Sequence, residues 1–449
     1  MNDIIILFGL FLLSFCLLII VLVITFIFFI HIDTKVENYI DENINLSQTS
    51  AGMISFLNSN EYNYESINDE TKNVLKDFYS KFNESISDIS KIPINDGYVT
   101  TNKEMNNFVK PKDFNIIPEL LQNDINTNLI YQTVYKYNIF EKEITIYITE
   151  ETYNIDEYNE CIKRMLILFS VYLKFATKKC SNKLSIFLFF SKLEKSLPEY
   201  GEQMERHNLN NAYTYPCTDN SELIIYRKEE WFKVFCHESM HNLGLDFSMT
   251  DDTISKELIL QIFPIKSNVR LYEAYTETWA KIMNCVFSST YSYVDNFDDF
   301  IIRFDYLISK ERVFAILQTV KILNYMGLKY QDMYDNNSAN RDKLYYEKTY
   351  LISYFIINSI LLNNYQEFIH WCLNNNVNVL QFDNENYEKK QISLCKFIRD
   401  YHKTEMIIKR FDFTLSDYIK KRSENYSDNL NILLTTLKKS VVERNIYES

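Results

Sequence analysis

Two of the residues that interrupt helices are scarce in this sequence of 449 residues. Glycine and proline occur only 6 times each, and no proline follows Pro264. Because proline breaks helices and glycine weakens them, their scarcity favours long helices, above all in the C-terminal third. The hydrophobic content of 47% is ordinary for a globular protein. We therefore expect most of the chain to fold around a sizeable core.

Positive charge is also in short supply. The chain has 47 lysines and arginines against 60 aspartates and glutamates, for a net charge of -13. Proteins that bind nucleic acids need a basic surface to neutralise phosphates. The sequence contains no cluster of basic residues that would offset the negative net charge locally, so we expect no nucleic-acid partner.

The cysteines do not show the spacing of a metal or redox motif. The chain has 8 cysteines, none of them in a CxxC pair, and Cys16 lies within an apolar N-terminal run. The others are odd in number and widely spaced, which does not indicate a disulfide framework. The sequence leaves open whether one or two individual disulfide bonds form.

A single long apolar run extends from Ile4 to Ile30 without a charged residue. As a helix it would span about 40 Å, more than the roughly 30 Å hydrocarbon core of a bilayer. The alternative is a cleaved signal peptide, but the run is too long, no basic segment precedes it and no cleavage site follows. We predict a retained transmembrane anchor within residues 1–32 and a single-pass membrane protein, with the viral envelope and host endomembranes as candidate locations.

The chain after the anchor divides by composition and periodicity. Residues 33–125 are polar and rich in Asn, Asp and Ser, and we predict that they form a stalk or small cap region. In residues 126–290, patterns typical of strands alternate with patterns typical of helices. Residues 291–449 are predicted to be mainly helical. The predicted strands are Tyr131–Tyr137 and Ile144–Thr149, joined as a hairpin, followed by Leu184–Phe190, Asn211–Tyr215 and Glu222–Tyr226.

Three helices are predicted within residues 126–290. The first is Asp156–Lys178, with Asp156 as its N-cap. The second is Lys228–Leu243, which ends at Gly244, a natural residue for the position just past a helix. The third is Val269–Val286. The order of strands and helices predicts an α+β fold with a small mixed sheet.

The most specific motif is His237-Glu238-Ser239-Met240-His241, an HExxH inside the second of these helices. With histidine this rare, roughly 0.006 such motifs per chain are expected by chance. Residues four apart on a helix lie on one face, one turn apart, so both imidazoles can reach one metal. Two imidazoles in this arrangement favour a single zinc ion.

Glu238 follows the first histidine directly, so its carboxylate can reach a zinc-bound water rather than the zinc. Zinc lowers the pKa of such a water toward about 7. Glu238 is therefore the candidate general base, and it can later return the proton to the leaving amine. The alternative is a satisfied polar cluster on a helix, the usual setting of an isolated histidine.

A third protein ligand must come from elsewhere. Phe247 stands where a longer HExxHxxGxxH/D motif would have its third ligand. Asp246 is one residue early for that role, so we expect it to cap or close the turn after Gly244. Further along, Glu273 and Glu277 are four residues apart on one face of the third predicted helix. Either can supply the ligand, and the alternative for both is an ordinary solvent-facing pair.

An HExxH followed some tens of residues later by a helix with a glutamate ligand resembles the gluzincins, the thermolysin-like zinc metallopeptidases. Their downstream motif is typically N-E-x-x-S-D, which the segment Tyr272-Glu273-Ala274-Tyr275-Thr276-Glu277 matches loosely. The resemblance implies that Glu273 is the third ligand and that Glu277 hydrogen-bonds the first histidine. Tyr272 replaces the Asn of the family motif, and Glu277 replaces its Asp. The alternative therefore stays open that Glu277 is the ligand and Glu273 the residue that hydrogen-bonds the histidine.

The resemblance extends to the strand that binds substrate. The segment Asn211-Ala212-Tyr213 is similar to the Asn-Ala-aromatic edge strand that binds the substrate backbone in gluzincins. In that family a His or Tyr beyond the third ligand acts as the transition-state electrophile. Candidates for that role, by residue type only, are Tyr291, Tyr293 and His370.

The chain is also rich in residues with AT-rich codons. In this composition and in its predicted anchor it resembles the uncharacterised membrane-anchored HExxH proteins of large DNA viruses. These observations predict a zincin-like metallopeptidase domain at 126–290, followed by a helical C-terminal domain. The expected function is zinc-dependent hydrolysis of a peptide or protein substrate. Two alternatives stay open: a catalytically inactive zincin-like membrane protein acting as an interaction or virion component, and a structural membrane glycoprotein with a fortuitous motif.

Overall fold

The computed structural model describes residues 44–57, 62, 64–94, 98–101, 108–199, 201–291, 294, 296–423 and 427–446. The predicted anchor at Ile4–Ile30 lies outside these residues. Among the described helices, none combines the length and the apolar character needed to cross a bilayer.

The fold is α+β, with one small mixed sheet and many helices. The strands are β1 (Tyr98–Thr101), β2 (Tyr131–Ile139), β3 (Lys142–Glu150), β4 (Lys183–Phe189), β5 (Ala212–Thr214) and β6 (Asn220–Ile225). Their order across the sheet is β1-β2-β3-β4-β6-β5. The β3-β4 and β4-β6 pairs are parallel, and the other pairs are antiparallel. Among the described strands, β1 therefore lies at one end of the sheet order and β5 at the other. The strand that precedes the motif helix in the chain is β6, the neighbour of β5.

The predicted hairpin is confirmed, with Tyr131 paired to Glu150 and Ile139 paired to Lys142. Two residues connect the strands, Phe140 at φ 55° and Glu141 at φ 57°. Positive φ at both positions is the mark of the type I′ turn, whose twist matches that of the flanking strands. The remaining strand predictions agree with β4, β5 and β6 to within two residues at each end.

Helices account for most of the rest of the described chain. They are α1 (Gln48–Ile54), α2 (Asp69–Ile89), α3 (Glu119–Asn128), α4 (Ile155–Leu173), α5 (Arg206–Leu209), α6 (Trp231–Asn242), α7 (Thr253–Ile262), α8 (Leu271–Thr290), α9 (Phe297–Tyr325), α10 (Tyr330–Tyr334), α11 (Ala339–Leu344), α12 (Asn358–Asn363), α13 (Tyr365–Asn375), α14 (Tyr387–Tyr401), α15 (Glu405–Arg422) and α16 (Asp428–Thr435). A π-helical stretch, Ile352–Ile357, leads into α12.

The predicted cap of α4 is wrong. Asn154, not Asp156, precedes the helix, and its side chain accepts a hydrogen bond from the backbone N–H of Glu157. Asp156 lies in the first turn, where a carboxylate favours the helix dipole instead. The helix also ends at Leu173 rather than at Lys178.

The core is shared by the sheet and by helices from all parts of the described chain. In α2, within the predicted stalk or cap region, the ring of Phe78 packs 6.1 Å from that of Trp279 in α8. Phe82 lies 5.9 Å from Phe287 in the same helix. The helical content predicted for residues 291–449 is confirmed, whereas the domain boundaries stay a prediction.

Helix α6 lies against α8 and ends in a tight turn at Gly244, as the sequence predicts. Gly244 has φ +65°, its N–H donates to His241 and the N–H of Leu245 donates to Met240. This pair of bonds is the Schellman motif, which requires a left-handed residue. A Cβ on Gly244 would meet the Sγ of Cys180 at 3.3 Å, and Cys180 is disulfide-bonded to Cys217.

Candidate metal centre

The packing of α6 against α8 brings three potential metal ligands to one point. The Nε2 atoms of His237 and His241 are 3.0 Å apart. The Oε2 atom of Glu273 lies 3.2 Å from the first and 3.4 Å from the second. All three side chains are buried, and within the described residues no other group of three such side chains comes together in this way.

Two imidazole nitrogens and one carboxylate oxygen are a donor set that zinc prefers. Zinc bonded at about 2.0–2.1 Å to tetrahedral ligands separates the ligand atoms by roughly 3.3–3.4 Å. The distances among His237, His241 and Glu273 lie between 3.0 and 3.4 Å. The residues therefore fit a zinc ion, with a fourth position left for a water or substrate oxygen.

The second nitrogen of each imidazole faces a carboxylate. The Nδ1 atom of His237 lies 3.0 Å from Oε2 of Glu277, and Nδ1 of His241 lies 2.6 Å from Oδ2 of Asp246. Ligating histidines commonly donate their other ring N–H to a carboxylate, which fixes the ring and its tautomer. Glu273 thus faces the shared point while Glu277 faces the far side of the first ring, which favours Glu273 as the ligand.

Asp246 has a different role from the one its sequence position indicates. Instead of only closing the turn after Gly244, its carboxylate contacts the ring of His241 and accepts hydrogen bonds from Ser248 at 2.9 Å and Thr276 at 3.3 Å. The Schellman turn brings the chain back over the last turn of α6, and this return places Asp246 beside the histidine.

Glu277 is itself held by a buried cation. Lys233, one turn before His237 on α6, places its Nζ 2.7 Å from Oε1 of Glu277. Burial alone would raise the pKa of Glu277, but Lys233 and His237 hold that pKa well below its usual range. The carboxylate therefore stays ionised and can accept the N–H of His237.

A cleft of about 360 Å³ opens beside this cluster, and Glu238, His241 and Glu273 border it. Burial raises the pKa of the Glu238 carboxyl, although His237 and His241 oppose the shift. Glu238 contributes no atom to the three-ligand cluster. Its position beside the ligands, at the cleft wall, suits a group that acts on a molecule in the cleft.

Tyr354 borders the same cleft, and sequence reasoning missed it. Its ring lies 6.0 Å from the ring of His237. Burial, with Glu273 and Glu238 nearby, raises the pKa of Tyr354 well above its ordinary value, so the hydroxyl stays protonated and can donate. The residue lies in the π-helical stretch, a feature frequent at functional sites. The sequence offers no signal for it, because it follows Glu273 by 81 positions.

Of the electrophile candidates chosen by residue type, the two that the structure describes, Tyr291 and His370, do not border this cleft. The hydroxyl of Tyr291 donates to Glu160 at 3.1 Å. His370 is exposed on α13 and pairs with Glu70 at 2.6 Å. Tyr293 lies outside the described residues.

The predicted substrate strand coincides with β5, the last strand at its end of the sheet order. Ala212 and Tyr213 border the cleft. Asn211 precedes the strand, is buried and borders a smaller cavity of about 50 Å³ behind the cluster, together with His237. The structure thus brings two of these three residues to the cleft.

Comparisons with known proteins identify no function for this chain. No family model matches the chain, and no solved structure matches it. A protein of Acanthamoeba polyphaga mimivirus, described as "Uncharacterized protein R210", is 26% identical over 216 residues, which cover 48% of this chain and 53% of that protein. The chain therefore matches about half of the length of this curated relative, whose description names no function.

Proposed function

We propose that this protein is a zinc-dependent peptidase with a zincin-like catalytic domain of the gluzincin type. The observation that carries the proposal is the convergence of His237, His241 and Glu273 on one point, with ligand atoms 3.0 to 3.4 Å apart. The carboxylate of Glu238 beside the same cleft supports a reaction and not only metal storage.

When bound, zinc would supply a Lewis acid that polarises the scissile carbonyl and acidifies a water. His237, His241 and Glu273 would hold it, while Glu277 and Asp246 keep the two imidazoles in the ligating tautomer and orientation. Glu238 would take the proton of the attacking water and return it to the leaving amine. The protonated hydroxyl of Tyr354 would donate a hydrogen bond to the oxyanion that develops on the carbonyl.

The substrate would lie along the edge of the sheet. β5 pairs with β6 on one side, and its residues Ala212 and Tyr213 border the cleft. An extended peptide can add to such an edge through backbone hydrogen bonds, which hold the chain without demanding a particular side chain. This binding mode favours a peptide or protein substrate.

The cellular setting belongs to the same proposal. An N-terminal helix at residues 4–30 would anchor the enzyme as a single-pass membrane protein, and the similarity to a mimivirus protein supports a viral origin. The runner-up is a catalytically inactive zincin-like membrane protein that acts as an interaction or virion component. Glu238, present at the cleft in the position of a general base, favours the enzyme.

Metal analysis and proteolysis of the purified full chain test the proposal together. We expect about one equivalent of zinc per chain, cleavage of members of a peptide library, loss of cleavage with a chelator and its return with added zinc. Zinc binding without any cleavage would support the inactive alternative. Absence of zinc from the folded chain would show that the motif is fortuitous.

A further inference from the structure

The cleft beside the metal cluster is bordered by cations that the proposed chemistry does not use. They are Arg206, Arg270 and Lys348, whereas the bordering carboxylates are Glu238 and Glu273, both assigned to the reaction. In the described part of the chain, none of these three cations pairs with a carboxylate. A chain with net charge -13 thus places unpaired positive charge around its candidate active site.

Arg270 is the best placed of the three. It precedes α8 directly and lies three residues before Glu273. Its guanidinium is 4.4 Å from the ring centroid of Tyr350 and 5.9 Å from that of Tyr272. Its backbone N–H donates to the hydroxyl of Ser353 at 3.2 Å. The side chain is therefore held by rings in a half-buried position.

A guanidinium that stacks on aromatic rings keeps its N–H donors free, since the rings contact its face. These donors form a planar fork that matches the two oxygens of a carboxylate. An excess of positive charge around a cleft also raises the local concentration of anionic ligands. The position at the cleft, the contact with the two rings and the lack of an ion pair with any described carboxylate all point to a carboxylate supplied from outside the protein.

We propose that Arg270 is a specificity-determining residue that binds a carboxylate of the substrate close to the scissile bond. This inference rests on the proposed function and names its substrate class: peptides with negative charge beside the cleavage site. The carboxylate can belong to an acidic side chain or to the C-terminus of the peptide, and the two sources share the same chemistry at Arg270.

Peptides in matched pairs test the proposal on the zinc-loaded full chain. One series replaces Asp or Glu by Asn or Gln at successive positions, and the other replaces a free C-terminus by an amide. Because a hydrogen bond to a charged group contributes more than a neutral one, we expect kcat/KM to be about 10–100-fold higher for the carboxylate member of one series. The series that responds identifies the source of the carboxylate.

Three variants separate a specific contact from a general charge effect. Arg270→Gln should reduce the ratio within the responsive pair to near one. Arg270→Lys, which keeps the charge but not the fork, should give an intermediate ratio. Arg399→Gln, on the exposed side of α14 and away from the cleft, should leave the wild-type ratio unchanged. A wild-type enzyme without any preference, or a preference that survives in Arg270→Gln, would overturn the proposal.

The inference and the proposed function fail in different ways. If wild-type protein cleaves neutral and acidic peptides equally, the peptidase stands and the role of Arg270 is refuted. If it cleaves nothing, calorimetric titration of zinc-loaded Glu238→Gln with the same pairs still measures the preference. Equal affinities within every pair would then refute the carboxylate site, and tighter binding of one member that is lost with Arg270→Gln would support it.

Discussion

The Nδ1 atom of His241 lies 2.6 Å from Oδ2 of Asp246, although helix α6 ends between the two residues. The contact exists because the Schellman turn at Gly244 reverses the chain over the last helical turn. The motif histidine is therefore oriented by a residue only five positions later, through the turn that follows the helix and not through the helix itself.

Replacing Asp246 by Asn should weaken zinc binding by about 10 to 100-fold, since the carboxylate that orients a ligating imidazole contributes that much in other sites. The fold should survive, because the amide has nearly the same shape. Competition with a chromophoric chelator measures the affinity. Wild-type affinity in Asp246→Asn would show that this carboxylate does not orient a metal ligand.

Replacing Glu238 by Gln should keep zinc near one equivalent and abolish hydrolysis, because in the proposed mechanism this side chain acts on the reacting water and does not bind the metal. Metal analysis and peptide cleavage on the same preparation check both parts. Circular dichroism checks that the variant is folded. Loss of zinc from the folded variant would contradict the role of Glu238 as general base.

Glu273→Ala should lose zinc outright on dialysis, whereas Glu277→Ala should bind it more weakly but measurably, by about 10 to 100-fold. In the proposed site, the first variant removes a zinc ligand and its compensating negative charge. The second removes the carboxylate that lies 3.0 Å from Nδ1 of His237 and leaves the buried Lys233 without this ion-pair partner. Zinc titrations of the two variants side by side decide the matter, and a more severe loss in Glu277→Ala would exchange the two roles.

Gly244→Ala should destabilise the fold and weaken zinc binding. The left-handed conformation costs an L-residue about 1–2 kcal/mol, and here the new methyl also meets Cys217 at 3.2 Å and Cys180 at 3.3 Å. Both atoms belong to a disulfide that cannot move aside easily. Chemical denaturation and zinc titration measure the two effects.

Gly327 offers a matched control, because it occupies the same position of a Schellman motif at the end of α9. It has φ +77°, and a Cβ there would meet only the flexible end of Leu344 at 3.4 Å. Gly327→Ala should therefore lose less stability and keep wild-type zinc affinity. Equal losses in the two variants would show that the disulfide contact adds nothing.

The run from Ile4 to Ile30 should remain in the mature protein as a membrane anchor. Its length and lack of charge lead us to expect resistance to alkaline carbonate extraction. Mass spectrometry of the N-terminus is the second readout. A mature N-terminus near residue 32 would identify the run as a cleaved signal peptide instead.

The features of this protein that depend on local spacing can be predicted from its amino-acid sequence alone. Two histidines four apart on a helix share a face whatever surrounds them. Alternating β-branched and aromatic residues predict the β2-β3 hairpin. Gly244, directly after the last turn of α6, marks the end of that helix. The motif residues and the order of elements around them could be predicted for this reason.

The assembly of the rest of the site depends on how distant segments of the chain pack together, which the sequence alone does not reveal. Glu273 and Glu277 share a helical face, and only the packing of α8 on α6 places one beside Nε2 and the other beside Nδ1. Tyr354 and Arg270 reach the cleft because the π-helical stretch packs against the start of α8. Contacts between segments far apart in the chain depend on packing, which leaves no local periodic pattern in the residues that make them.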